Sequence, residues 1–447
     1  MLFMVFCLTG ALYVLMSLGR AGTLPANIVP FLGLVFVLLL VAHVAVRRLA
    51  PNADPIVLPL AGLLNGTGYV FIARLDSHEA SYQALWTAVG VASFVAVLAF
   101  FPRAVNFERY RYLIALGGIV LLFLPLVPHI GQDINGARLW VRLGPVNFQP
   151  EEFAKVALAI FFASVLAERA DLLATGTRRI GRWLVLEPRY LAPLLAAWGI
   201  SLLVLLAEND LGSSFLFFTL LVGLLWVATG RWAYLGLGAG LFAAGAVFAL
   251  DVVHHAQSRV QAWLDPWAHF ATSGYQIIEG WFALAAGGMW GLGPGLGNPQ
   301  VIPEASTDFI FASIGEELGL VGLAAMLMAY LLIVGSGLRA AVRSQRSFST
   351  LLATGLALLM GVQVFVVAGG ITRVIPLTGI TLPFVSYGGS SLVSNYILVA
   401  ILLRISDDNA RERALAEVPP WGTGTPVALP TAGDAAEPTV LTPRAGP

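Results

Sequence analysis

Charged residues, cysteine and lysine are all scarce in this chain of 447 residues. Charged side chains make up 11% of the sequence, whereas a soluble globular protein carries roughly 25%. Because hydrophobic residues make up 58%, we predict that lipid rather than water surrounds most of the fold. The single cysteine, Cys7, excludes an internal disulfide framework. The formal net charge of zero argues against nucleic acid as a partner.

The apolar residues gather in runs of about the twenty residues that a helix needs to cross a bilayer. Only helices and closed barrels satisfy the backbone in lipid, and these runs are too continuous for barrel strands. The sequence therefore predicts an all-α, polytopic membrane helix bundle with about twelve transmembrane helices. The predicted spans are 1–19, 26–46, 55–74, 81–101, 110–128, 152–168, 190–207, 211–230, 233–252, 309–338, 349–370 and 384–404.

The distribution of arginine predicts the orientation of the bundle, because Lys and Arg concentrate in cytoplasmic loops. With the N-terminus inside, seventeen arginines between Arg47 and Arg413 fall on the inner side. The outer side receives only seven basic residues, namely Arg20, Arg74, Arg138, Arg142, Arg259, Arg373 and the sole lysine, Lys155. We therefore predict a multi-pass protein of the plasma (inner) membrane with an N-in, C-in topology.

Two segments interrupt the succession of short connections. Residues 253–308 form a long outer loop rich in tryptophan and glycine, and a loop of this length is typically functional. Its aromatic content predicts a structured segment. Residues 406–447 are rich in Pro, Ala, Gly and Thr without apolar periodicity, which predicts a disordered cytoplasmic tail. The predicted organisation is a transmembrane domain over 1–405 followed by this tail.

Polar side chains at the outer ends of the predicted spans are candidates for function, because charge is costly in hydrocarbon. Glu151 and Glu152 open a predicted helix, where helix capping alone would explain them. Lys155 follows at a spacing that allows an ion pair with either acid on one helix face. Asp210 lies in a tight outer turn, for which a simple polar hairpin is the competing interpretation.

The predicted outer loops carry further acid–base and anion-binding groups. Arg138 stands beside an aromatic residue as an interfacial anchor or a phosphate clamp. The long loop supplies Arg259, Asp265, His269, Glu304 and Asp308, while Glu316 and Glu317 fall within a predicted span. The histidines lack the spacing of a metal site, so we predict no metal ligated by them.

Several of these motifs recur together in one order. They are Gly136-Ala137-Arg138-Leu139-Trp140, Gln149-Pro150-Glu151-Glu152-Phe153-Ala154-Lys155, Asp210-Leu211-Gly212, Ser273-Gly274-Tyr275-Gln276, Pro303 to Phe311, Gly315-Glu316-Glu317-Leu318-Gly319, Pro376-Leu377-Thr378-Gly379 and Pro383 to Ser391. In this set the chain resembles the SEDS family (shape, elongation, division and sporulation), which includes RodA, FtsW and SpoVE. The two additional N-terminal spans are similar to those of actinobacterial members.

The resemblance implies a peptidoglycan glycosyltransferase that polymerises lipid II at the outer membrane face, in cell elongation, division or shape control. It also implies a class B penicillin-binding protein as partner, no certain cofactor and a possible divalent cation. Deprotonating the acceptor hydroxyl requires a general base. The resemblance implies these roles for the outer residues: Asp265 or His269 as base, Arg138 and Arg259 on the pyrophosphate, Glu152 with Lys155 shaping the groove, and Asp210, Asp308 and Glu316 as supporting groups.

One position departs from the family pattern. The family's catalytic Asp lies five residues before the Gly of the Gly-Tyr pair, and His269 occupies that place here. His269 can itself be the base, Asp265 can substitute from four residues away, or the chain is a non-catalytic scaffold for a penicillin-binding protein. A lipid II flippase is a further alternative, but the charges cluster toward the outer leaflet rather than along a path across the bilayer.

Overall fold

The computed structural model of the protein describes residues 1–24, 28–134, 137–143, 146–175, 178–180, 183–185, 188–252 and 254–416. Helices dominate these ranges, so the predicted all-α fold class is confirmed. Twelve of the helices in the described part coincide with the predicted spans: α1 (Leu2–Ala21), α2 (Ile28–Leu49), α3 (Val57–Leu75), α4 (Ser77–Phe100), α6 (Arg111–Phe123), α7 (Glu151–Thr175), α8 (Pro188–Ala207), α9 (Leu211–Thr229), α10 (Trp232–Val252), α13 (Ile310–Arg343), α14 (Ser347–Ile371) and α15 (Gly389–Ala416). Shorter helices are α5 (Val105–Arg109), α11 (His254–Leu264) and α12 (Tyr275–Gly287).

The helix lengths fit a protein that crosses the membrane many times. Among the described residues, eight helices are long and apolar enough to span a bilayer, namely α1, α2, α3, α4, α9, α13, α14 and α15. Shorter apolar helices lie at Arg111–Leu126, Ala192–Ala207 and Trp232–Val247. α7 has a span's length but carries charged residues near both ends. The N-in, C-in orientation stays a prediction from the arginines.

Two small antiparallel sheets were not predicted from the sequence. The strands β1 (Gly131–Ile134), β2 (Ala137–Leu143) and β3 (Val146–Phe148) pair in the order β1-β2-β3 between α6 and α7. The strands β4 (Arg178–Ile180) and β5 (Trp183–Val185) form a hairpin between α7 and α8. Each sheet lies in a connection between spans, where backbone groups need partners outside a helix.

The predicted boundary between membrane domain and tail at residue 405 is wrong, because α15 continues to Ala416. Buried polar contacts from residue 404 onward hold α15 against the end of α2, the turn that follows α2, and α13. Arg404 donates from Nη1 to the carbonyl oxygen of Leu49 at 2.7 Å. Asp407 accepts from the backbone N–H of Asn52 at 2.9 Å, and Asn409 donates to the carbonyl oxygen of Ala340 at 2.7 Å. Residues 417–447 of the predicted tail lie outside the described residues.

α13 is broken inside its length at Gly319, where φ is 65° and ψ is −170°. Glycine adopts such a conformation without steric cost. The break leaves backbone groups of α13 without partners inside the helix, and residues 288–293 hydrogen-bond to them. Leu292 and Gly293 donate their backbone N–H groups to the carbonyl oxygens of Glu316 and Glu317 at 2.9 and 3.0 Å. Part of the long loop is therefore integrated into the bundle, as the prediction of a structured loop requires.

Candidate active site

One end of the bundle collects most of the predicted site residues, and we call it the outer end. It contains the start of α7, the α8–α9 turn, α11, the segment before α13 and the connection between α14 and α15. These pieces come from distant parts of the sequence. The fold thus brings Glu152, Lys155, Asp210, Arg259 and Asp308 to one end of the bundle.

Two buried carboxyl groups meet where α7 and α9 begin. Asp210 caps α9 by accepting the backbone N–H of Ser213 at 2.9 Å, as an N-cap aspartate does. Glu151, at the start of α7, accepts a hydrogen bond from the Gln149 side-chain amide, and its carboxyl group lies beside that of Asp210. The starts of α7 and α9 therefore bring two buried carboxyl groups side by side.

Glu208 adds a third carboxyl group to this cluster. Its side chain is 1% exposed. Burial, and next the charge of Asp210, raises the pKa of Glu208 to about 9. Like charges held together in a dry site favour the protonated form. Glu208 is therefore neutral at pH 7, and Arg259 faces less negative charge than the sequence suggests.

Lys155 is buried and links three parts of the outer end. It forms the predicted ion pair with Glu152 three residues earlier and donates to the Gln363 side-chain oxygen on α14 at 2.9 Å. Gln363 in turn donates to the Thr381 carbonyl oxygen at 2.8 Å, and Thr381 donates to the Ser391 hydroxyl at 2.9 Å. The pairing of Lys155 with Glu152 is confirmed, and it connects α7 to α14 and α15.

Arg259 on α11 reaches the connection between α14 and α15. Its Nη1 donates to the carbonyl oxygen of Thr378 at 2.6 Å. The next residue, Gly379, has φ of 73°, and a Cβ there would lie 3.2 Å from Nη2 of Arg259. Burial lowers the pKa of Arg259, while the charges of Asp210 and Asp308 oppose that shift. A guanidinium so held still has donor groups to offer to an anion.

Asp308 lies on the long loop just before α13, and its charge acts on Arg259. Burial, and next the charge of Glu304, raises the pKa of Asp308 to about 6. A hydrogen bond from the Thr307 hydroxyl at 3.2 Å and the charge of Arg259 act in the opposite direction. Asp308 therefore changes charge just below neutral pH, and its charge acts on Arg259.

The shifted pKa of Asp308 predicts a pH-dependent stability. The folded-state pKa of about 6 exceeds the ordinary value of 3.8, so the stabilisation is fully present below about pH 4 and is lost as pH rises through about 6. We expect Asp308→Asn to remove a decline of up to roughly 3 kcal/mol in the unfolding free energy between those pH values. Thermal unfolding in detergent from pH 4 to 8 measures it. The control is Asp133→Asn, which changes an exposed acid on β1. If the unfolding free energy of Asp308→Asn fell with pH as steeply as that of wild type, the assignment to Asp308 would be wrong.

Asp265 and His269 form a local turn after α11. Asp265 accepts the backbone N–H of Ala268 at 3.1 Å through Oδ1. Nδ1 of His269 lies 2.9 Å from the carbonyl oxygen of Asp265. Because a carbonyl oxygen only accepts, Nδ1 carries the proton, and Nε2 of a neutral ring is then left with its lone pair. The contacts described for both residues stay within this turn.

Glu316 belongs to a different cluster, around the break in α13. Its Oε1 accepts the backbone N–H of Asn298 at 2.8 Å. Glu317 accepts the backbone N–H of Gly295 at 2.9 Å and pairs with Nε of Arg74 on α3 at 2.5 Å. The contacts described for Glu316 are therefore to loop backbone, and its predicted contribution to substrate binding stays a prediction.

Arg138 is exposed on β2 and its backbone N–H donates to the carbonyl oxygen of Glu208 at 3.2 Å. The small sheet therefore places the backbone of Arg138 next to Glu208 of the carboxyl cluster. Sequence reasoning assigned no site role to Glu151, Glu208 or Arg74. The sequence could have indicated Glu151 and Glu208, because each lies within two residues of a predicted site acid. It could have indicated Arg74 as well, because this arginine lies at the predicted outer end of an apolar span.

Comparisons with known proteins point to one family. The model of a cell cycle protein family, FTSW_RODA_SPOVE, matches residues 56–411. Peptidoglycan glycosyltransferase RodA of Mycobacterium tuberculosis is 47% identical over 376 residues, which cover 82% of this chain and 80% of that protein. The probable peptidoglycan glycosyltransferase FtsW of a Geobacter species is 34% identical over 374 residues, covering 80% and 98%.

Solved structures agree with the sequence relatives. A chain from a peptidoglycan synthase complex, studied for its coordination of polymerization and crosslinking, is 26% identical with a TM-score of 0.66. A mutant of the rod shape determining protein RodA of Thermus thermophilus is also 26% identical, with a TM-score of 0.59. Each alignment covers 80% of this chain and 98% of the other. The similarity therefore extends over nearly the whole of both solved chains.

Proposed function

This chain belongs to the FtsW, RodA and SpoVE family of cell cycle proteins, and we propose that it is a peptidoglycan glycosyltransferase that polymerises lipid II at the outer face of the plasma membrane. The observation that carries the proposal is the outer end itself. Arg259 and Arg138 lie there with the carboxyl cluster of Glu151, Glu208 and Asp210. A diphosphate-linked sugar that remains in the membrane needs cations and an acid–base group at this level.

The reaction joins two sugars and releases a lipid diphosphate. The acceptor hydroxyl oxygen forms a bond to the anomeric carbon of the donor, and the bond from that carbon to the diphosphate oxygen breaks. The leaving diphosphate takes the electron pair, so cations that bind it more strongly as charge develops lower the barrier. The hydroxyl proton passes to a general base. We assign Arg259 and Arg138 to the diphosphate and His269 to the base.

The choice of His269 over Asp265 rests on the hydrogen bonds of their turn. Nδ1–H of His269 donates a hydrogen bond to the carbonyl oxygen of Asp265, which leaves Nε2 to accept a proton. The Asp265 carboxylate caps the turn at Ala268 instead. The competing function is a non-catalytic scaffold, supported by the imidazole in place of the family's carboxylate. The similarity to a chain of a peptidoglycan synthase complex supports a class B penicillin-binding protein as partner.

A reconstituted polymerisation assay tests the proposed function. The full chain is purified with its partner transpeptidase, placed in liposomes with fluorescent lipid II, and the glycan strands are separated by length. We expect strands longer than the disaccharide, formed even when the transpeptidase is blocked by a β-lactam. A wild-type complex that makes no strands, while the transpeptidase still crosslinks supplied strands, would favour the scaffold.

Arg259 should contribute strongly to turnover, because hydrogen bonds to charged groups are worth about 1.5–3 kcal/mol. We expect Arg259→Gln to lower the polymerisation rate about 10- to 100-fold, and Arg259→Lys to recover part of it by restoring charge without the bidentate fork. The measurement is the initial rate at saturating and limiting lipid II. Arg142→Gln, at an exposed arginine of β2, serves as the control. Equal rates for wild type and Arg259→Gln would remove Arg259 from the site.

A further inference from the structure

A wedge-shaped cavity of about 450 Å³ opens between α1, α2 and the start of α3, at the end of the bundle opposite the candidate active site. Its walls include Phe3 and Phe6 of α1, Phe36 and Leu40 of α2, and Leu58 of α3. Phe6 and Phe36 touch edge to face, with ring centroids 5.7 Å apart, and bound the wedge within the apolar part of the two helices. The cavity is therefore apolar at the depth of the hydrocarbon.

Basic groups stand at the mouth of this cavity. His43 and Arg47 line it, and Arg47 is exposed at the end of α2. Asp54, the acid on the lining, has its carboxylate engaged elsewhere: Oδ1 accepts from the backbone N–H of Ile56 at 3.0 Å, and Oδ2 accepts from the Ser336 hydroxyl at 2.6 Å. The mouth therefore presents positive charge above apolar walls, on the side where the arginine distribution predicts the cytoplasm.

We propose that this cavity binds an anionic phospholipid of the inner leaflet, with an acyl chain between α1 and α2 and the headgroup phosphate on Arg47 and His43. Basic pockets between transmembrane helices on the cytoplasmic side are suited to anionic headgroups. Water filling an apolar wedge at hydrocarbon depth would find no hydrogen-bond partners. Most of the lining residues lie before residue 56, where the family match begins, and none of them belongs to the candidate active site.

Native mass spectrometry of the full chain, released from liposomes of phosphatidylcholine with a minor fraction of phosphatidylglycerol, tests the proposal. We expect wild type to retain phosphatidylglycerol in preference to phosphatidylcholine. Arg47→Gln should weaken that retention about fivefold, as expected for one basic residue near an anionic surface. Arg48→Gln is the matched control, because Arg48 is the neighbouring arginine and does not line the cavity. Leu40→Trp, which fills the wedge without changing charge, should also reduce retention.

Each alternative occupant gives a distinct result. Equal retention in wild type, Arg47→Gln and Leu40→Trp would overturn the proposal. Equal retention of phosphatidylcholine and phosphatidylglycerol by wild type would overturn the assignment of the headgroup. Competition by millimolar inorganic phosphate would overturn it as well, because it would show that the anion alone, without an acyl chain, occupies the mouth. Arg47 and Leu40 are both exposed, so the variants are expected to fold.

Discussion

Polymerisation by His269→Ala should fall about 10²- to 10⁴-fold relative to wild type, the usual contribution of a positioned general base. The reason is the fixed tautomer, since the Asp265 carbonyl oxygen engages Nδ1 and leaves Nε2 as proton acceptor. His269→Asp places at this position the carboxylate that the family pattern has, and we expect it to polymerise. Initial rates from the liposome assay, with binding of lipid II measured separately, distinguish loss of chemistry from loss of substrate.

Asp265→Asn is the matched control for this prediction. Asparagine also caps a turn, so the contact with the backbone of Ala268 is retained while the carboxylate is removed. If His269 is the base, Asp265→Asn should keep most of the activity. A severe loss in Asp265→Asn with a mild effect of His269→Ala would transfer the role of base to Asp265. If wild type, His269→Ala and Asp265→Asn polymerised at similar rates, neither residue would be the general base.

Breaking the buried ion pair between Arg74 and Glu317 should destabilise the protein by about 3–5 kcal/mol, because the remaining partner is left as an uncompensated buried charge. Both side chains are almost fully buried, at 2% and 0% exposure. Arg74 also donates to the carbonyl oxygen of Gly297 at 2.6 Å. We expect Arg74→Met and Glu317→Leu each to lower the unfolding free energy by this amount, measured by denaturation in detergent micelles.

Two comparisons give this prediction its specificity. The double variant Arg74→Met with Glu317→Leu should lose less than the sum of the single changes, because no charge is then left unpaired. Arg346→Ala breaks an ion pair with Glu412 whose side chains are 52% and 32% exposed, and it should cost about 0–1 kcal/mol. Equal losses at the buried and the exposed pair would show that burial does not set the energy of these contacts.

The link between this ion pair and the outer loop gives it a functional consequence. Glu317 and Glu316 accept backbone N–H groups of Gly295 and Asn298. Residues 288–293 hydrogen-bond to the backbone of α13 on both sides of its break. The loop that carries Arg259, His269 and Asp308 is thereby connected to α3 and α13. We infer that Glu316 supports the site by positioning this loop, which refines the role that the sequence suggested for it.

The amino-acid sequence by itself determined the spans, because a bilayer of fixed thickness requires runs of about twenty apolar residues in a helix. Each predicted span coincides with a helix of the structure. The pairing of Glu152 with Lys155 was equally predictable, since residues three apart lie on one face of a helix. The motif order also sufficed to predict the family that the comparisons confirm.

Only the tertiary structure decided which polar groups meet. Glu151 and Asp210 are 59 residues apart in sequence, and their carboxyl groups meet at the junction of α7 and α9; Arg74 and Glu317 are still further apart. The extension of α15 beyond residue 405 likewise depends on the contacts of Asp407 with Asn52 and of Asn409 with Ala340. Such contacts leave no local periodicity in the sequence, because a polar side chain finds its partner through the packing of distant helices.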